Sequence, residues 1–200
     1  MERVIEPELM EDDLQCQIYN DASHRQYDDE KFLNSYKQYC GLVSGTLIDL
    51  GSGPAVHLSI IQKNFPDLKI TGYENSEAMI SIAKKNTSVE IKKQDFNFID
   101  DSADAVLSLY TLHHQADPIQ FWKTVSRISR GYVYIEDFER PESDKMFDKF
   151  NAIEDFKNSL RASFTLNEIQ EQLASLRLPY TVIRKLIDKN ISKLIIYQKI

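Results

Sequence analysis

The chain has 200 residues, of which 42% are hydrophobic and 28% are charged, and its formal net charge is −7. This composition is typical of a globular protein, and the length suits one domain of generous size. No apolar run approaches the roughly 20 residues that cross a bilayer, which excludes a membrane-spanning helix. The negative charge disfavours nucleic acid as a partner, because broad phosphate-binding faces need clustered Lys and Arg.

The beginning of the chain is acidic and lacks the apolar core of a secretion signal. Only two cysteines occur, Cys16 and Cys40, and small secreted domains usually carry a denser disulfide framework. We therefore expect a reducing, cytoplasmic setting.

Residues 1–41 are predicted to form a helical extension ahead of the main domain, residues 42–200. The first part of this extension is rich in acids, among which stand three ring side chains, Tyr19, His24 and Tyr27. Two interpretations stay open for it: a solvated arm, or a lid that folds over bound ligands. From Asp28 onward a helix is predicted, because three aromatic residues recur at helical spacing before the stop at Gly41: Phe32, Tyr36 and Tyr39.

The stretch Thr46–Leu50 is a short apolar run that contains one acid, Asp49, and is followed by Gly51 and Gly53. Such a run predicts a buried parallel strand, and a glycine pair after it lets the backbone turn sharply and approach a ligand closely. A helix is predicted to begin at Val56, so that its free N–H groups face whatever lies over the loop. The dinucleotide pattern G-x-G-x-x-G fails, because Val56 stands where the third glycine belongs.

A second strand is predicted at residues 68–73, and Glu74 follows it directly. An acid about 20 residues beyond the first glycine is placed to accept hydrogen bonds from ribose hydroxyls. Ser76 is a predicted N-cap for the next helix, which would bury Met79 and Ile82.

Two further strands are predicted at residues 89–92 and 102–109. The loop after the second of them, residues 110–118, is the expected substrate wall, because open α/β sheets bind ligands beyond the carboxyl ends of strands where the strand order reverses. Asp117 as N-cap and Pro118 at the first helical position then predict another helix.

The remaining pattern predicts a fifth strand at residues 132–137 that ends in two acids, followed by helical residues with an apolar face. Four residues form that face: Phe147, Phe150, Ile153 and Phe156. A capping box, Thr165 with Glu168, then opens a helix. Two alternating segments, 180–186 and 191–198, predict a closing hairpin joined at residues 188–190. The predicted fold class is α/β: a Rossmann-like, doubly wound, mostly parallel seven-stranded sheet with a C-terminal antiparallel hairpin.

Four motifs in one order resemble the class I S-adenosylmethionine-dependent methyltransferases. They are the acid and glycines at Asp49, Gly51 and Gly53, the acid Glu74, the pair Asp95 and Phe96, and the Leu-His-His-x-x-Asp-Pro run that begins at Leu112. The last run is similar to small-molecule methyltransferases of the ubiquinone and menaquinone type. Many members carry a further glycine where this chain has Ala55.

The resemblance implies S-adenosyl-L-methionine as cofactor and S-adenosyl-L-homocysteine as product. By this resemblance Glu74 holds the ribose, while Asp95 and the Phe96 amide meet the adenine. The implied cofactor-binding residues are Asp49, Gly51, Ser52, Gly53, Glu74, Asn75, Asp95, Phe96 and Leu109. The acceptor is expected to be a small molecule, because the Asn/Asp-Pro-Pro-Tyr loop of enzymes that methylate exocyclic amines or amides is absent, as is a post-strand cysteine.

His113 and His114 are the candidate catalytic residues. Histidine titrates near pH 6.5 when unperturbed, which suits it to accept a proton from a hydroxyl or ammonium group. We expect one of the two, His113 by its place in the family motif, to contact the acceptor and the other to be structural. A histidine that only fixes the loop is the alternative for either residue. No metal site is predicted, because adjacent histidines lack the usual ligand spacing and no third ligand is evident.

The sequence thus predicts a methyltransferase that acts on an oxygen or nitrogen of a small-molecule acceptor, with oligomeric state left open. A different class of function is also open: a catalytically inert protein that binds S-adenosylmethionine for regulation or partner binding. An enzyme that uses a nicotinamide cofactor on a similar fold is disfavoured by Val56.

Overall fold

The fold comes from a computed structural model that describes residues 1–6, 10–26, 28–143, 154–187 and 191–199, with the backbone alone described at 23–26 and 154–155. Its helices are α1 Asp13–Gln26, α2 Asp29–Tyr39, α3 Val56–Asn64, α4 Glu77–Asn86, α5 Pro118–Ile128, α6 Glu154–Ala162 and α7 Leu166–Ser175. Its strands are β1 Gly45–Leu50, β2 Leu68–Glu74, β3 Glu90–Lys93, β4 Ala103–Leu109, β5 Ser129–Phe138, β6 Thr181–Leu186 and β7 Ser192–Gln198.

The seven strands form one sheet in the order β3-β2-β1-β4-β5-β7-β6. Strands β1 to β5 pair in parallel, whereas β7 pairs antiparallel with both β5 and β6. The strand order reverses between β1 and β4, which flank the switch point. The predicted fold class, including the antiparallel hairpin, is confirmed.

Helices cover both faces of the sheet and bury a hydrophobic cluster on each. In β4, Ala105 and Leu107 belong to one cluster and Val106 to the other, as the alternation of side chains along a strand requires. One cluster includes Trp122 of α5, and the other includes Tyr36 of α2. Strands buried on both faces explain why the central strands read as almost continuous apolar runs.

Predicted helix starts are confirmed by the side chains that cap them. Ser76 accepts a hydrogen bond from the Met79 N–H, and Asp117 accepts two from the first turn of α5. Thr165 and Glu168 form the predicted capping box at the start of α7. β5 is longer than the predicted 132–137, since it extends from Ser129 to Phe138.

The N-terminal extension contains α1, a helix that docks on α4. Cys16 is fully buried in a small cluster with Met79 and Ile82 of α4. On the same side, Asn20 Oδ1 accepts a hydrogen bond from Asn86 Nδ2 at 2.8 Å. Residues 13–26 are therefore a folded helix packed on the domain rather than an extended arm.

Some predicted positions lie outside the described residues. They are Tyr27, the hairpin connection 188–190, and three residues of the predicted aromatic face, Phe147, Phe150 and Ile153. The fourth residue of that face, Phe156, is half-buried in α6 and packs edge to face on Phe138. Across the part of the chain that the structure describes, no helix combines the length and apolar character needed to cross a membrane.

Candidate cofactor and acceptor site

The carboxyl ends of β1, β2 and β4 lie side by side, because β1 pairs in parallel with both neighbours. Leu50, Glu74 and Leu109 are the last residues of these strands. Leu109 is half-buried and packs against the cluster on the α2 and α3 face. The predicted ligand-binding residues therefore gather at one edge of the sheet.

The two glycines of the loop after β1 have different physical roles. Gly51 has φ +75°, and a Cβ there would lie 2.5 Å from Thr111 Oγ1, so this glycine is required by the close packing of two loops. Gly53 has φ +51°, and a Cβ there would meet no described atom within 4 Å. A side chain on Gly53 would project into open space over the loop, where a ligand has room.

Ala55, at the position where many family members have glycine, is the N-cap of α3 and has left-handed dihedral angles, φ 56° and ψ 28°. Such a conformation is costly for any residue with a Cβ. The Ala55 methyl is buried in the cluster that contains Leu47 and Leu58. This departure from the family pattern therefore adds a methyl group to the core.

Glu74 is bound to the backbone around it. Its Oε2 accepts a hydrogen bond from the Gly53 N–H at 2.8 Å, and its Oε1 accepts from the N–H groups of Asn75 at 2.8 Å and Ser76 at 2.9 Å. The carboxylate thus ties the glycine loop of β1 to the end of β2. Oε1 already accepts two hydrogen bonds, but Oε2 accepts one and has capacity for a further donor, so the ribose role stays open to it.

Asp49 is the buried carboxyl group of the cofactor side. It is 3% exposed, and its Oδ1 has no hydrogen-bond partner among the described residues. Burial, together with the nearby charge of Glu74, raises the pKa of Asp49 to about 8. The hydroxyl of Ser52 is also buried without a partner in the described part of the chain. Buried polar atoms are rarely left unpaired, so these two atoms are candidates to bind a polar ligand.

Asp95 and Phe96 lie at the far end of this edge, after β3. Asp95 caps a short 3₁₀ helix, Phe96–Phe98, by accepting a hydrogen bond from the Asn97 N–H at 2.9 Å. The Phe96 ring is buried edge to face against Phe121. The structure thus gives the Phe96 side chain a core role, which leaves its backbone amide for the predicted adenine contact.

His113 is held by Asp137, the last but one residue of β5. Its Nδ1 lies 2.6 Å from Asp137 Oδ1, and its backbone N–H donates to Asp137 Oδ2 at 2.8 Å. The imidazole is only 2% exposed. Burial, the largest single influence, opposes its charged form, but the carboxylates of Asp137 and Glu6 together outweigh it and raise the pKa of His113 above its ordinary value. A carboxylate that fixes one ring nitrogen leaves the other, Nε2, to face a partner.

The partner at Nε2 is Glu6, from residues 1–6, which we call the N-terminal segment. Glu6 Oε2 lies 3.5 Å from His113 Nε2 and 3.5 Å from His114 Nδ1. The side chain of His114 is 37% exposed. Burial, together with the adjacent charge of His113, lowers the pKa of His114 to about 4.

Arg3 fixes the N-terminal segment against this loop. Its guanidinium donates hydrogen bonds to the carbonyls of His113 at 2.9 Å, Gln115 at 2.8 Å and Ala162 at 2.6 Å. It also lies 4.0 Å from the centre of the Phe164 ring. The first residues of the chain therefore cover the histidine loop.

A second polar cluster surrounds Glu136, next to Asp137 on β5. The Glu136 carboxylate accepts hydrogen bonds from the hydroxyls of Tyr110 at 2.6 Å and Tyr134 at 2.8 Å, and it pairs with Lys193. Tyr110 has φ 56°, an uncommon conformation for a bulky residue. The loop after β4 is thus strained at its first residue and tied to the end of β5, which makes it a fixed wall beside the candidate site.

The predicted lid residues are placed only in part. Tyr19 lies on α1 and is half-exposed, whereas of His24 the structure describes only the backbone. The residues that sequence reasoning missed are Arg3 and Glu6, for which no local pattern gives a signal. The sequence showed Asp137 as one of two acids that end a predicted strand, but it gave no sign that His113 is its partner.

The family of this chain follows from its match to known proteins. A family described as a methyltransferase domain matches residues 22–176, which is more than half of the chain. The chain therefore belongs to this family, and the predicted resemblance to class I S-adenosylmethionine-dependent methyltransferases is confirmed.

Solved structures show the same fold. A putative S-adenosyl-L-methionine-dependent methyltransferase from Methanococcus maripaludis has a TM-score of 0.73 and 21% identity, covering 98% of each chain. The plantazolicin methyltransferase BpumL, in complex with SAH, has a TM-score of 0.71 and 17% identity, covering 92% of this chain and 90% of that one. A SAM-dependent methyltransferase from Aquifex aeolicus has a TM-score of 0.68 and 18% identity, covering 93% and 98%.

Among characterised relatives, trans-aconitate 2-methyltransferase from Variovorax paradoxus (strain S110) is 30% identical over 70 residues. The match spans 34% of this chain and 27% of that relative. It is thus a similarity over part of the domain.

Proposed function

We propose that this protein is an S-adenosylmethionine-dependent methyltransferase that acts on an oxygen or nitrogen atom of a small molecule. The observation that carries the proposal is the buried, unpaired Oδ1 of Asp49, on the strand that leads into a glycine loop with open space over Gly53. Membership of the methyltransferase-domain family supports it. The similarity to trans-aconitate 2-methyltransferase supports a small acceptor.

The charge of the site suits this cofactor. Asp49 and Glu74 place two carboxyl groups close enough for the charge of one to raise the pKa of the other. S-adenosylmethionine carries an ammonium group and a sulfonium cation, which two acids attract. A nicotinamide dinucleotide would instead set its pyrophosphate against them, which disfavours that alternative on electrostatic grounds.

We assign each part of the cofactor to named residues. Asp49 holds the ammonium group, Glu74 accepts the ribose hydroxyls, and Asp95 with the Phe96 amide holds the adenine. Residues that line the same edge complete the site: Gly51, Ser52, Gly53, Asn75 and Leu109. When bound, S-adenosylmethionine supplies a methyl group that its sulfonium centre makes electrophilic.

On the acceptor side, His113 has the geometry of an oriented base. Asp137 fixes Nδ1 at 2.6 Å, so the electron pair of Nε2 can take a proton from an acceptor hydroxyl or ammonium group. His114, on the same turn and more exposed, supports the loop and borders the acceptor. The N-terminal segment would have to move away from Nε2 for an acceptor to reach it.

We further propose that the extension, residues 1–41, acts as a lid over the domain formed by 42–200. Tyr19→Ala tests this without touching the buried contacts of Cys16 and Asn20, and Leu14→Ala, an exposed position on the same helix, is the matched control. A lid predicts a several-fold loss of turnover with Tyr19→Ala, measured at a temperature where both variants are folded. Equal turnover in both variants would show that α1 is structural alone.

The decisive experiment has two stages. Calorimetric titration with S-adenosylmethionine, S-adenosylhomocysteine and NADH shows which cofactor binds. Incubation with a small-molecule extract and labelled S-adenosylmethionine then shows whether a methyl group is transferred, and mass spectrometry of the labelled product identifies the acceptor. Tight binding without conversion to S-adenosylhomocysteine in any extract would favour the inert, regulatory alternative. Binding of NADH alone would overturn the proposal.

A further inference from the structure

Three side chains from two distant parts of the chain converge beside the loop after β4. Glu6 comes from the N-terminal segment, and His113 and His114 come from the 3₁₀ turn Leu112–His114. One ligand-type atom of each lies within 4.8 Å of the other two. A carboxylate and two imidazoles are a donor set that suits zinc.

The distances within the cluster match a metal site better than hydrogen bonding. Glu6 Oε2 is 3.5 Å from both His113 Nε2 and His114 Nδ1. Two ligand atoms at about 2.1 Å from a tetrahedral metal are about 3.4 Å apart. A charge-assisted hydrogen bond between the same atoms would be about 2.7–2.9 Å long. Both distances from Glu6 Oε2 to a histidine nitrogen are therefore close to the separation of two ligand atoms on one tetrahedral metal ion.

Asp137 completes the arrangement from behind. Metal-binding histidines almost always donate their second N–H to a carboxylate or carbonyl, which fixes the tautomer and the ring orientation. His113 Nδ1 has this partner at 2.6 Å, so its Nε2 points to the cluster, and in the neutral ring that nitrogen carries the electron pair that a metal needs. The Asp137 carboxylate is itself held by the N–H groups of His113 and Phe138.

The loop that carries the histidines is fixed, and the cluster is open on one side. Arg3 donates hydrogen bonds to the carbonyls of His113 and Gln115, which holds the turn in place. The side chain of His114 is 37% exposed, so an ion can enter past it. The two carboxylates, Glu6 and Asp137, balance the charge of a divalent cation.

We propose that Glu6, His113 and His114 bind a zinc ion, with the fourth position open to water. The ion would join the N-terminal segment to the loop after β4 and hold the segment closed. It would also occupy the Nε2 electron pair of His113. In so far as the proposed function is right, zinc therefore inhibits methyl transfer.

The binding test needs no enzyme activity. Chelator-treated protein is titrated with zinc chloride by calorimetry, and the cobalt(II) form is examined by absorption spectroscopy for tetrahedral coordination. Glu6→Gln and His114→Gln each remove a ligand, and Glu2→Gln, an exposed glutamate of the same segment, is the matched control. We expect a single zinc per chain in wild type and Glu2→Gln. In the two ligand variants the affinity should fall by at least the roughly 10–100-fold that loss of a mere outer-shell partner of a metal ligand costs.

The outcomes separate the inference from its alternatives. Absence of zinc binding in the wild type, or equal affinity in Glu6→Gln, His114→Gln and Glu2→Gln, would overturn the site and leave a plain contact between Glu6 and the histidines. A thiolate-to-cobalt absorption band would assign the ion to Cys16 or Cys40 and would overturn it too. Zinc should lower turnover of the wild type but not of Glu6→Gln. If no protein shows turnover, the proposed function fails while the titration still decides the zinc site.

Discussion

The cofactor side and the acceptor side of this sheet edge are built in different ways. The proposed cofactor side uses residues between 49 and 96 and Leu109 at the end of β4, each in or directly after a strand or in a turn. The acceptor side brings Arg3 and Glu6 to His113, and the Arg3 contact joins positions 110 residues apart in the chain. A short motif can therefore be read from sequence on one side, whereas the other side exists only once the domain has folded.

The buried acids of the two sides also differ in their hydrogen bonding. Asp137 receives a hydrogen bond from the backbone of His113, another from Phe138, and the contact to the His113 ring. Asp49 leaves Oδ1 unpaired among the described residues, and burial raises its pKa to about 8. A paired acid holds structure in place, while an unpaired one is suited to a ligand.

The largest effect is expected from His113→Gln, which removes the ring nitrogen that faces the acceptor side. Loss of a general base should lower turnover by roughly 10²–10⁴-fold and leave cofactor affinity unchanged. His114→Gln is the matched comparison on the same turn, and we expect a smaller loss. Steady-state kinetics with titration of the cofactor checks both. If His113→Gln instead lowers the melting temperature and the cofactor affinity together, its role is loop support, and full turnover in both variants rules out a catalytic histidine.

The two loop glycines sharpen the comparison on the cofactor side. Gly51→Ala should destabilise the fold by about 2–5 kcal/mol, the sum of a left-handed backbone and the clash of a Cβ with Thr111. Gly53→Val carries only the backbone strain, because no described atom lies within 4 Å, but it fills the space over the loop. Thermal melts and cofactor titrations should separate them: stability lost in the first, affinity lost in the second. Similar melting temperatures for both would contradict the packing role of Gly51.

Glu74→Gln is expected to weaken S-adenosylmethionine binding by about 1.5–3 kcal/mol, the value of a hydrogen bond to a charged group. Glu77→Gln is the matched control, because Glu77 lies in the first turn of α4 and pairs with Lys93 at the surface. Calorimetric titration of both folded variants measures the difference. Unchanged affinity in Glu74→Gln would refute the ribose assignment.

The raised pKa of Asp49 predicts that the affinity for S-adenosylmethionine depends on pH. A bound ammonium group favours the charged carboxylate, so binding near pH 7 should release a proton from a group whose pKa is about 8 in the free protein. Affinity should then rise with pH up to about 8, by at most about tenfold per pH unit. Titration in buffers of different ionisation enthalpy measures the proton release, which Asp49→Asn should abolish. Equal release in wild type and variant would assign the proton to another group.

The same pKa predicts a stability effect of the opposite sign. The folded protein holds the Asp49 proton more tightly than the unfolded chain does, because the folded pKa is raised. Unfolded Asp49 loses its proton near pH 4, so this group makes stability fall as the pH rises from about 4 to about 8. Melting temperatures measured in the absence of S-adenosylmethionine should lack that part of the pH dependence in the Asp49→Asn variant. This is the effect that is hardest to isolate in the measured melting temperature, since many other groups titrate over the same range.

Much of the fold could be read from sequence, because the signals for it are local. The apolar run at Thr46–Leu50, the caps at Ser76 and Asp117, and the capping box at Thr165 each act within a few residues of themselves. The alternation of side chains along a strand and the periodicity of a helix make whole elements predictable, since the buried face recurs at a fixed spacing.

The candidate site was predicted where it follows those elements and missed where it does not. Asp49, Gly53 and Glu74 could be named in advance, because the end of a parallel strand fixes where its last residues lie. The reason for Gly51 could not, since Thr111 reaches it from another loop. The core packing of the Ala55 methyl was likewise decided by its neighbours in three dimensions.

By itself the sequence determined the sheet, its helices and the glycine loop, because each depends on backbone preference and on the burial of one face. Only the tertiary structure decided that Asp137 holds His113 and that Glu6 and Arg3 close over the pair. The physical reason is that such contacts are made between side chains whose distance in sequence has no bearing on their distance in space. Their positions follow from how the sheet and its connections pack, and no local pattern records them.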